Sequence, residues 1–232
     1  MRRVPDYLII GNGRVARHML HYLSLLNIEA EHWHRGQDYS ALGDAKNILV
    51  LISDGAIESF IAEHLSDKKG LKIHFSGSLV TSLAIGAHPL MTFGPKLYDI
   101  EKYQKMYFVL DQDAPDFADV LPNLSNQHVR LEKKDKAKYH AMCVMAANYS
   151  CLLWNKLFDV FEREFDFPAE TAFPLLQQQT ENLLQDHQNA LTGPLVRGDD
   201  QTILRNLEAL NDDTYQDIYK IFVETYRKDR AC

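Results

Sequence analysis

The sequence predicts an α/β fold in which a doubly wound, mostly parallel sheet is followed by an all-α C-terminal domain. Short apolar runs alternate with amphipathic stretches over the first 132 residues. One run, NILVLISD at 47–54, is mostly apolar and rich in branched side chains, as expected of a central strand buried on both faces. After residue 133, apolar residues instead recur at helical spacing for about thirty residues.

The elements of the first half follow from these patterns. Tyr7–Ile10 is an apolar run that stops at glycine, which predicts a buried first strand. Residues 14–26 place Val15 and Met19 on one helical stripe, and Asn27 is a suitable end because asparagine tolerates the left-handed conformation. Further strands are predicted at 28–34, 47–54, 71–78, 105–111 and 128–132, with helices at 57–65 and 115–122. This order is typical of βαβ units and a parallel sheet.

The second half is predicted to be helical. Residues 135–165 contain no glycine or proline, which favours one long helix, and Pro168 suits the first turn of the next. Helices are also predicted at 169–189, 199–210 and 213–228. The domain boundary therefore falls between a sheet domain, 1–132, and a helical substrate or dimerisation domain, 133–232. The long helix and the aromatic residues near the C-terminus are predicted either to contact a second subunit, giving a homodimer, or to form an intrachain core (Tyr215, Tyr219, Phe222 and Tyr226).

Composition excludes several classes of protein. The 32 acidic and 25 basic residues give a formal charge of -7, which argues against a nucleic-acid partner. The three cysteines have neither the pairing nor the spacing of a disulfide framework or zinc site, so no metal is expected. The first apolar run is far shorter than the about 7–15 residues of a signal peptide. We therefore expect a cytoplasmic protein without membrane segments.

The turn after the first predicted strand fits the pattern G-x-G-x-x-G/A. A first glycine permits the tight turn, a second lets the backbone approach a pyrophosphate, and a small residue allows close helix packing. The following helix N-terminus offers free N–H groups to the anion. The motif predicts a dinucleotide site of the Rossmann type, the alternative being a purely structural corner, and comprises Gly11, Asn12, Gly13, Arg14, Val15 and Ala16.

The end of the second strand favours NADP over NAD. An acid there would bind the ribose hydroxyls of NAD, and Glu31 has about the nominal spacing. The strand is predicted to extend further, so that His34 and Arg35 occupy its tip. Arg35 matches the 2′-phosphate of NADP, and Arg14 can lie along the adenine. The alternative is that Arg35 is only a solvated surface residue.

Four segments carry a resemblance to a known group of enzymes: HFSGSL (74–79), GAHPLMTF (86–93), KYHAMCVMAANY (138–149) and LTGPLVRGD (191–199). They resemble a short Rossmann-like oxidoreductase family with an all-helical C-terminal domain, within the wider group of ketopantoate reductase, pyrroline-carboxylate reductase and 6-phosphogluconate dehydrogenase. Because the family includes an alternative ketopantoate reductase, the resemblance implies this activity.

Polar residues are predicted at the carboxyl edge of the sheet, where open α/β sheets bind ligands. Ser76 and Gly77 follow one strand, and Ser53 and Asp54 end its neighbour. Ser53 or Asp54 instead caps the next helix in the alternative interpretation. His88 is placed on a loop, where it donates to a carbonyl or simply fixes the loop.

His140 and Asn148 interrupt the apolar long helix and are candidate catalytic residues. In an α-helix they lie within about 80° of each other but about 12 Å apart. The related reductases have a lysine and an asparagine on this helix, so His140 takes the lysine's place as proton donor, with Lys138 as an alternative. A buried structural histidine is the other interpretation of His140.

The segment LTGPLVRGD contributes candidate substrate residues. Thr192 is predicted as an N-cap, with Pro194 in the following turn. Arg197 matches a substrate carboxylate, or else forms an ion pair between domains. Asp199 either orients Arg197 or caps the helix at 199–210.

These residues together predict an NADPH-dependent reductase of a small 2-keto acid, with ketopantoate indicated by the resemblance. Two alternatives stay open: an imine reductase of the pyrroline-carboxylate type, and a redox sensor that binds NADP without catalysis.

Overall fold

A computed structural model describes residues 4–230, which form two compact units that divide between Leu152 and Leu153. The first unit contains a seven-stranded sheet. Its strands are β1 Tyr7–Ile10, β2 Ala30–Trp33, β3 Asn47–Val50, β4 Leu71–His74, β5 Ile85–Leu90, β6 Tyr107–Asp111 and β7 His128–Leu131. Its helices are α1 Arg14–Leu25, α2 Asp54–His64, α3 Ile100–Gln104, α4 Phe117–Val120 and α5 Lys136–Cys143.

The sheet confirms the predicted fold class. Its strand order is β2-β1-β3-β4-β5-β6-β7, and every pair is parallel except β5 with β6. The chain leaves β1 to one side for β2 and then crosses to the other side for β3. This reversal opens a crevice at the carboxyl ends of β1 and β3, which is where doubly wound sheets bind ligands.

The core lies on both faces of this sheet. Successive side chains of a strand point to opposite faces, so Tyr7 and Ile9 pack with α1 while Leu8 and Ile10 pack with α2. All four residues of β1 are at most 1% exposed. The predicted helix end at Asn27 also agrees with its positive φ of 55°.

The structure corrects the placement of His88, which lies in strand β5 and not on a loop. Pro89 lowers the sequence signal for a strand because proline cannot donate to a ladder. It is tolerated because β4 pairs only with Ile85 and Gly86, before the proline is reached. The predicted strands at 47–54 and 71–78 also end earlier, at Val50 and His74.

The long helix is present, but it contains an unpredicted π-helical segment, Val144–Tyr149, between α5 and α6. The compact units divide within this helix, later than the predicted boundary of residues 132 and 133, which stays a prediction. The helices from the π segment onward are α6 Ser150–Glu164, α7 Phe173–Gln185, α8 Pro194–Arg197, α9 Asp200–Ala209 and α10 Tyr215–Arg230.

Candidate active site

The glycine turn after β1 has two glycines with different constraints. Gly11 has φ of +125°, and an added Cβ would overlap the carbonyl oxygen of Leu51. Gly13 is the N-cap of α1, makes no side-chain capping bond, and would place a Cβ in open space with nothing within 4 Å. Gly11 is therefore required by the fold, whereas the space above Gly13 is available to a ligand at the helix N-terminus.

This turn forms one wall of a cleft of about 900 Å³ within the first unit. That volume suits a cofactor-sized ligand. Most of the predicted cofactor residues line it, namely Gly11, Asn12, Gly13, Arg14, Val15, His34, Arg35, Ser53, Asp54 and Ser76. Ala16 is fully buried in the core beneath the turn, and Gly77 lies just beyond Ser76. The sequence missed the aromatic part of the lining: Trp33, Tyr39, Phe60 and Phe75.

The residues at the end of β2 bear on the choice between a phosphate contact by Arg35 and a ribose contact by Glu31. Arg35 and Arg14 line the cleft. Glu31, the acid at the nominal NAD position, has its carboxylate beside Gly43 and is not part of the cleft lining. His32 was not predicted, yet its Nε2 lies 2.7 Å from the carbonyl oxygen of Gly11 and supports the turn. The charge at this end of the cleft is therefore positive.

Ser53 and Asp54 lie at the start of α2, and neither side chain caps that helix. Ser53 occupies the N-cap position of α2 without a side-chain capping bond, and Asp54 begins the helix. Ser76 Oγ donates a hydrogen bond to Asp54 Oδ2 at 2.5 Å and accepts one from the backbone N–H of Leu79 at 3.0 Å. The capping interpretation is therefore not seen for either side chain, and Asp54 fixes Ser76 at the end of β4.

Next to this end of the cleft, two histidines meet over Gly77. The rings of His88 and His140 have centroids 5.9 Å apart and are nearly perpendicular. An added Cβ on Gly77 would lie 2.5 Å from His140 Cδ2 and 3.2 Å from His88 Nε2. The glycine thus lets both rings approach the backbone. The sequence also missed Tyr139, whose hydroxyl lies 2.7 Å from His88 Nδ1, although it is adjacent to His140 in the motif.

Burial keeps His88 and His74 neutral. It lowers the pKa of His88 to about 4, helped by His140 and Lys136 and opposed by Asp54. Burial and the charge of Lys136 likewise lower the pKa of His74 to about 4. His74 Nδ1 accepts from the N–H of Ser76, so its proton is on Nε2, a buried nitrogen with no hydrogen-bond partner in the structure.

A buried ion pair lies behind these histidines. Lys136 Nζ is 2.7 Å from Asp111 Oδ1, and both side chains are 5% exposed. The other carboxylate oxygen accepts a hydrogen bond from the N–H of Gly86 at 2.8 Å. Lys138, the alternative proton donor, is exposed, so the buried lysine of this helix is Lys136.

Asn148 lies in the π-helical segment and is exposed. A π segment has i→i+5 hydrogen bonds and turns the chain less per residue than an α-helix. The angle about the helix axis between His140 and Asn148 is therefore smaller than the about 80° expected for an uninterrupted α-helix. The two side chains still differ by about two turns along the axis, and their catalytic roles stay predictions.

In the second unit, Asp199 caps α9: its carboxylate accepts hydrogen bonds from the N–H of Thr202 at 3.1 Å and from its hydroxyl at 2.8 Å. These bonds lower the pKa of Asp199. Thr192 is not an N-cap, because Gly193 takes that position before Pro194. Arg197 is exposed at the end of α8 and has no carboxylate within 4.0 Å in the described part of its unit.

Residues 4–230 contain neither a group of three acidic, histidine or cysteine residues arranged for a metal ion nor a helix long and apolar enough to cross a membrane.

Comparison with known proteins places the chain among structures of one fold. Residues 111–225 match the family described as "Domain of unknown function (DUF2520)". No curated protein sequence matches the chain. A Bacteroides fragilis protein described as an NADP oxidoreductase has a TM-score of 0.80 at 18% identity, with 97% of this chain and 98% of that chain covered.

Two further similar structures contain a bound cofactor. A reductive aminase from Aspergillus terreus in complex with NADPH has a TM-score of 0.63 at 12% identity, covering 97% of this chain and 93% of that chain. Pyrroline carboxylate reductase from Plasmodium falciparum with NADP bound has a TM-score of 0.55 at 13% identity, covering 97% of both chains. At such identities the similarity shows a shared fold.

Proposed function

We propose that this protein is a cytoplasmic NADPH-dependent reductase of a small carboxylate-bearing carbonyl or imine compound. The observation that carries the proposal is the open space above Gly13, at the N-terminus of α1, in a cleft whose lining includes Ser76, the residue before the Gly77 at which the His88 and His140 rings meet. The free N–H groups at this helix end face that open space, where an anion can accept from them.

Each part of NADPH has a proposed partner among the cleft residues. The first N–H groups of α1 would hold the pyrophosphate, as helix N-termini do for anions. Arg35 would pair with the 2′-phosphate and Arg14 would lie along the adenine, both as cleft-lining cations. Glu31, the residue that would favour NAD, is outside the lining. The NADP and NADPH complexes of the structurally similar enzymes support the same cofactor.

When bound, NADPH supplies a hydride, and this chain supplies the groups that receive and orient the substrate. His140 is the proposed proton donor to the developing alkoxide or amine. His88, neutral at pH 7, would donate a hydrogen bond to a carbonyl oxygen, and Asn148 is a further polar contact on the same helix. Arg197 is the proposed carboxylate anchor, because its guanidinium forms no ion pair within 4.0 Å with the residues of its unit up to Arg230.

Two substrate classes are proposed, and each has its own support. Ketopantoate, a 2-keto acid, follows from the motif resemblance, with Met142 and Met145 as apolar contacts. Both methionines are exposed on the long helix. Cyclic imines follow from the similar fold of pyrroline carboxylate reductase and reductive aminase. A redox sensor would bind NADPH in the same cleft and reduce neither.

A substrate panel tests the proposal. Purified protein would be mixed with NADPH and with ketopantoate, other 2-keto acids, pyrroline carboxylate or other cyclic imines. Turnover of a 2-keto acid or of an imine chooses between the two classes. Arg197→Met should raise KM for the accepted carboxylate with NADPH affinity preserved. If the protein binds NADPH but consumes it with no member of the panel, the redox sensor is the interpretation that remains.

We also propose a homodimer formed through the helical unit. Among its described residues only three apolar side chains are buried: Ala172, Ile203 and Val223. Large apolar side chains are instead exposed, with Leu184 at 83% and Ile221 at 60%. Exposed apolar side chains that lie together mark protein–protein contacts, and dimers are the commonest soluble oligomers. Sedimentation analysis should give a dimer that Leu184→Glu weakens and the control Gln179→Glu does not; a monomeric wild type would contradict this.

A further inference from the structure

Tyr139 holds one edge of the His88 ring, and the other edge faces Gly77. The Tyr139 hydroxyl lies 2.7 Å from Nδ1. On the opposite side of the ring, Nε2 lies 3.2 Å from the position of a Cβ on Gly77. Tyr139 and His140 are consecutive residues of α5, so the same helix turn holds His88 and presents the proposed proton donor.

The hydrogen bond between Tyr139 and His88 can run in two directions. Either the phenol donates to Nδ1, which places the histidine proton on Nε2, or Nδ1–H donates to the phenol oxygen, which leaves Nε2 as an acceptor. Cys143, one turn further along α5, also interacts with the Tyr139 hydroxyl. The direction therefore depends on which partner receives the single phenol hydrogen.

Acceptor strength decides the direction. An imidazole nitrogen is a far better acceptor than a thiol sulfur, so the phenol hydrogen goes to His88 Nδ1. Burial raises the pKa of Tyr139 and lowers that of His88 to about 4, so both groups are neutral at pH 7. The other charged or titratable groups facing His88 are His74, Lys136, His140 and Asp54.

We infer that Tyr139 is a positioning residue that fixes His88 as the Nε2–H tautomer, so that His88 presents a hydrogen-bond donor beside Gly77. A donor at this place suits a substrate or cofactor carbonyl and would not suit a cation. The catalytic consequence rests on the proposed reductase function, whereas the tautomer itself does not.

Nitrogen NMR of protein labelled with ¹⁵N-histidine tests the inference without any substrate. His88→Gln identifies the His88 signals. In the wild type at pH 7, His88 should be the neutral ring with its proton on Nε2. A proton on Nδ1 would overturn the inference whatever the enzyme's activity. This measurement needs no Tyr139 variant to fold.

Tyr139→Phe then removes only the hydroxyl. His88 should become a mixture of tautomers, and kcat for the accepted substrate should fall about tenfold with NADPH affinity unchanged. Tyr149→Phe, which removes an exposed hydroxyl from the same long helix, is the matched control and should change neither. An unaltered Nε2–H signal in Tyr139→Phe would also overturn the inference. A shifted tautomer in a protein that reduces nothing would instead refute the reductase proposal alone.

Discussion

Lys136 and Asp111 form a buried ion pair, with Nζ and Oδ1 2.7 Å apart, that joins the first residue of α5 to the last residue of β6. Since α5 also contains Tyr139 and His140, the pair fixes the start of the helix that presents these two side chains. Its cost in desolvation is offset only while both partners are present.

We expect Lys136→Met to lower the free energy of unfolding by about 3–5 kcal/mol, because it leaves a buried unpaired carboxylate. Lys133→Met is the matched control: its 2.8 Å pair with Asp113 is much more exposed and should contribute only about 0–1 kcal/mol. Urea unfolding of both variants measures the difference. Equal losses would show that burial of the Lys136 pair has no special role.

Gly13→Val should lose cofactor binding, whereas Gly11→Ala should lose stability. A Cβ at position 13 would meet nothing within 4 Å beyond its chain neighbours, so the fold should persist in Gly13→Val while NADPH binding is lost. An alanine at 11 would overlap Leu51 and adopt a φ of +125°, so the protein itself should be destabilised. Unfolding midpoints and calorimetric NADPH titration separate the two effects. Normal NADPH affinity in Gly13→Val would remove the glycine turn from the cofactor site.

Arg35→Asp should change cofactor selectivity by about tenfold to a hundredfold towards NADH, the value of one charge-assisted contact. Arg17→Asp is a suitable control because Arg17 is exposed on α1 and does not line the cleft. Titration with NADPH and NADH measures both affinities. An unchanged ratio in Arg35→Asp would contradict the assignment of the 2′-phosphate contact.

His140→Ala should lower kcat by about 10²–10⁴-fold with NADPH affinity nearly intact, as expected on loss of a general acid. Steady-state kinetics and NADPH titration check it. Loss of folding or of cofactor binding would make His140 structural. Asn148→Ala provides the parallel test, and full activity there would exclude Asn148 from the site.

Stability should fall as the solution is acidified from about pH 6.5 towards pH 4. In this window the unfolded histidines take up protons, while His74 and His88, whose pKa values are about 4, remain neutral in the fold. The unfolded state then binds more protons, so stability rises with pH, by a total on the order of 3 kcal/mol for each histidine. Urea unfolding at several pH values should show a shallower slope in His88→Gln than in His187→Gln. Identical slopes would contradict the burial argument.

The sequence predicted the parts of the molecule in which local pattern and burial agree. β1 and β3 are apolar runs, and the glycine turn between β1 and α1 has its own signature. β5 was missed because Pro89 weakens the sequence signal for a strand. The fold tolerates the proline because β4 pairs with β5 only at residues before it. Nothing in the sequence indicates that Lys136 is buried, since lysine is normally exposed and its partner Asp111 is 25 residues away. The π segment likewise leaves no periodic pattern.

The most direct test of the central claim is transfer of deuterium from NADPH in which both hydrogens at the nicotinamide C4 are replaced by deuterium. If the protein is a reductase, the product formed from ketopantoate or a cyclic imine will contain deuterium at the former carbonyl or imine carbon. His140→Ala should give the same labelled product more slowly. NADPH that binds tightly but stays reduced with every substrate, or a product without deuterium, would contradict the account.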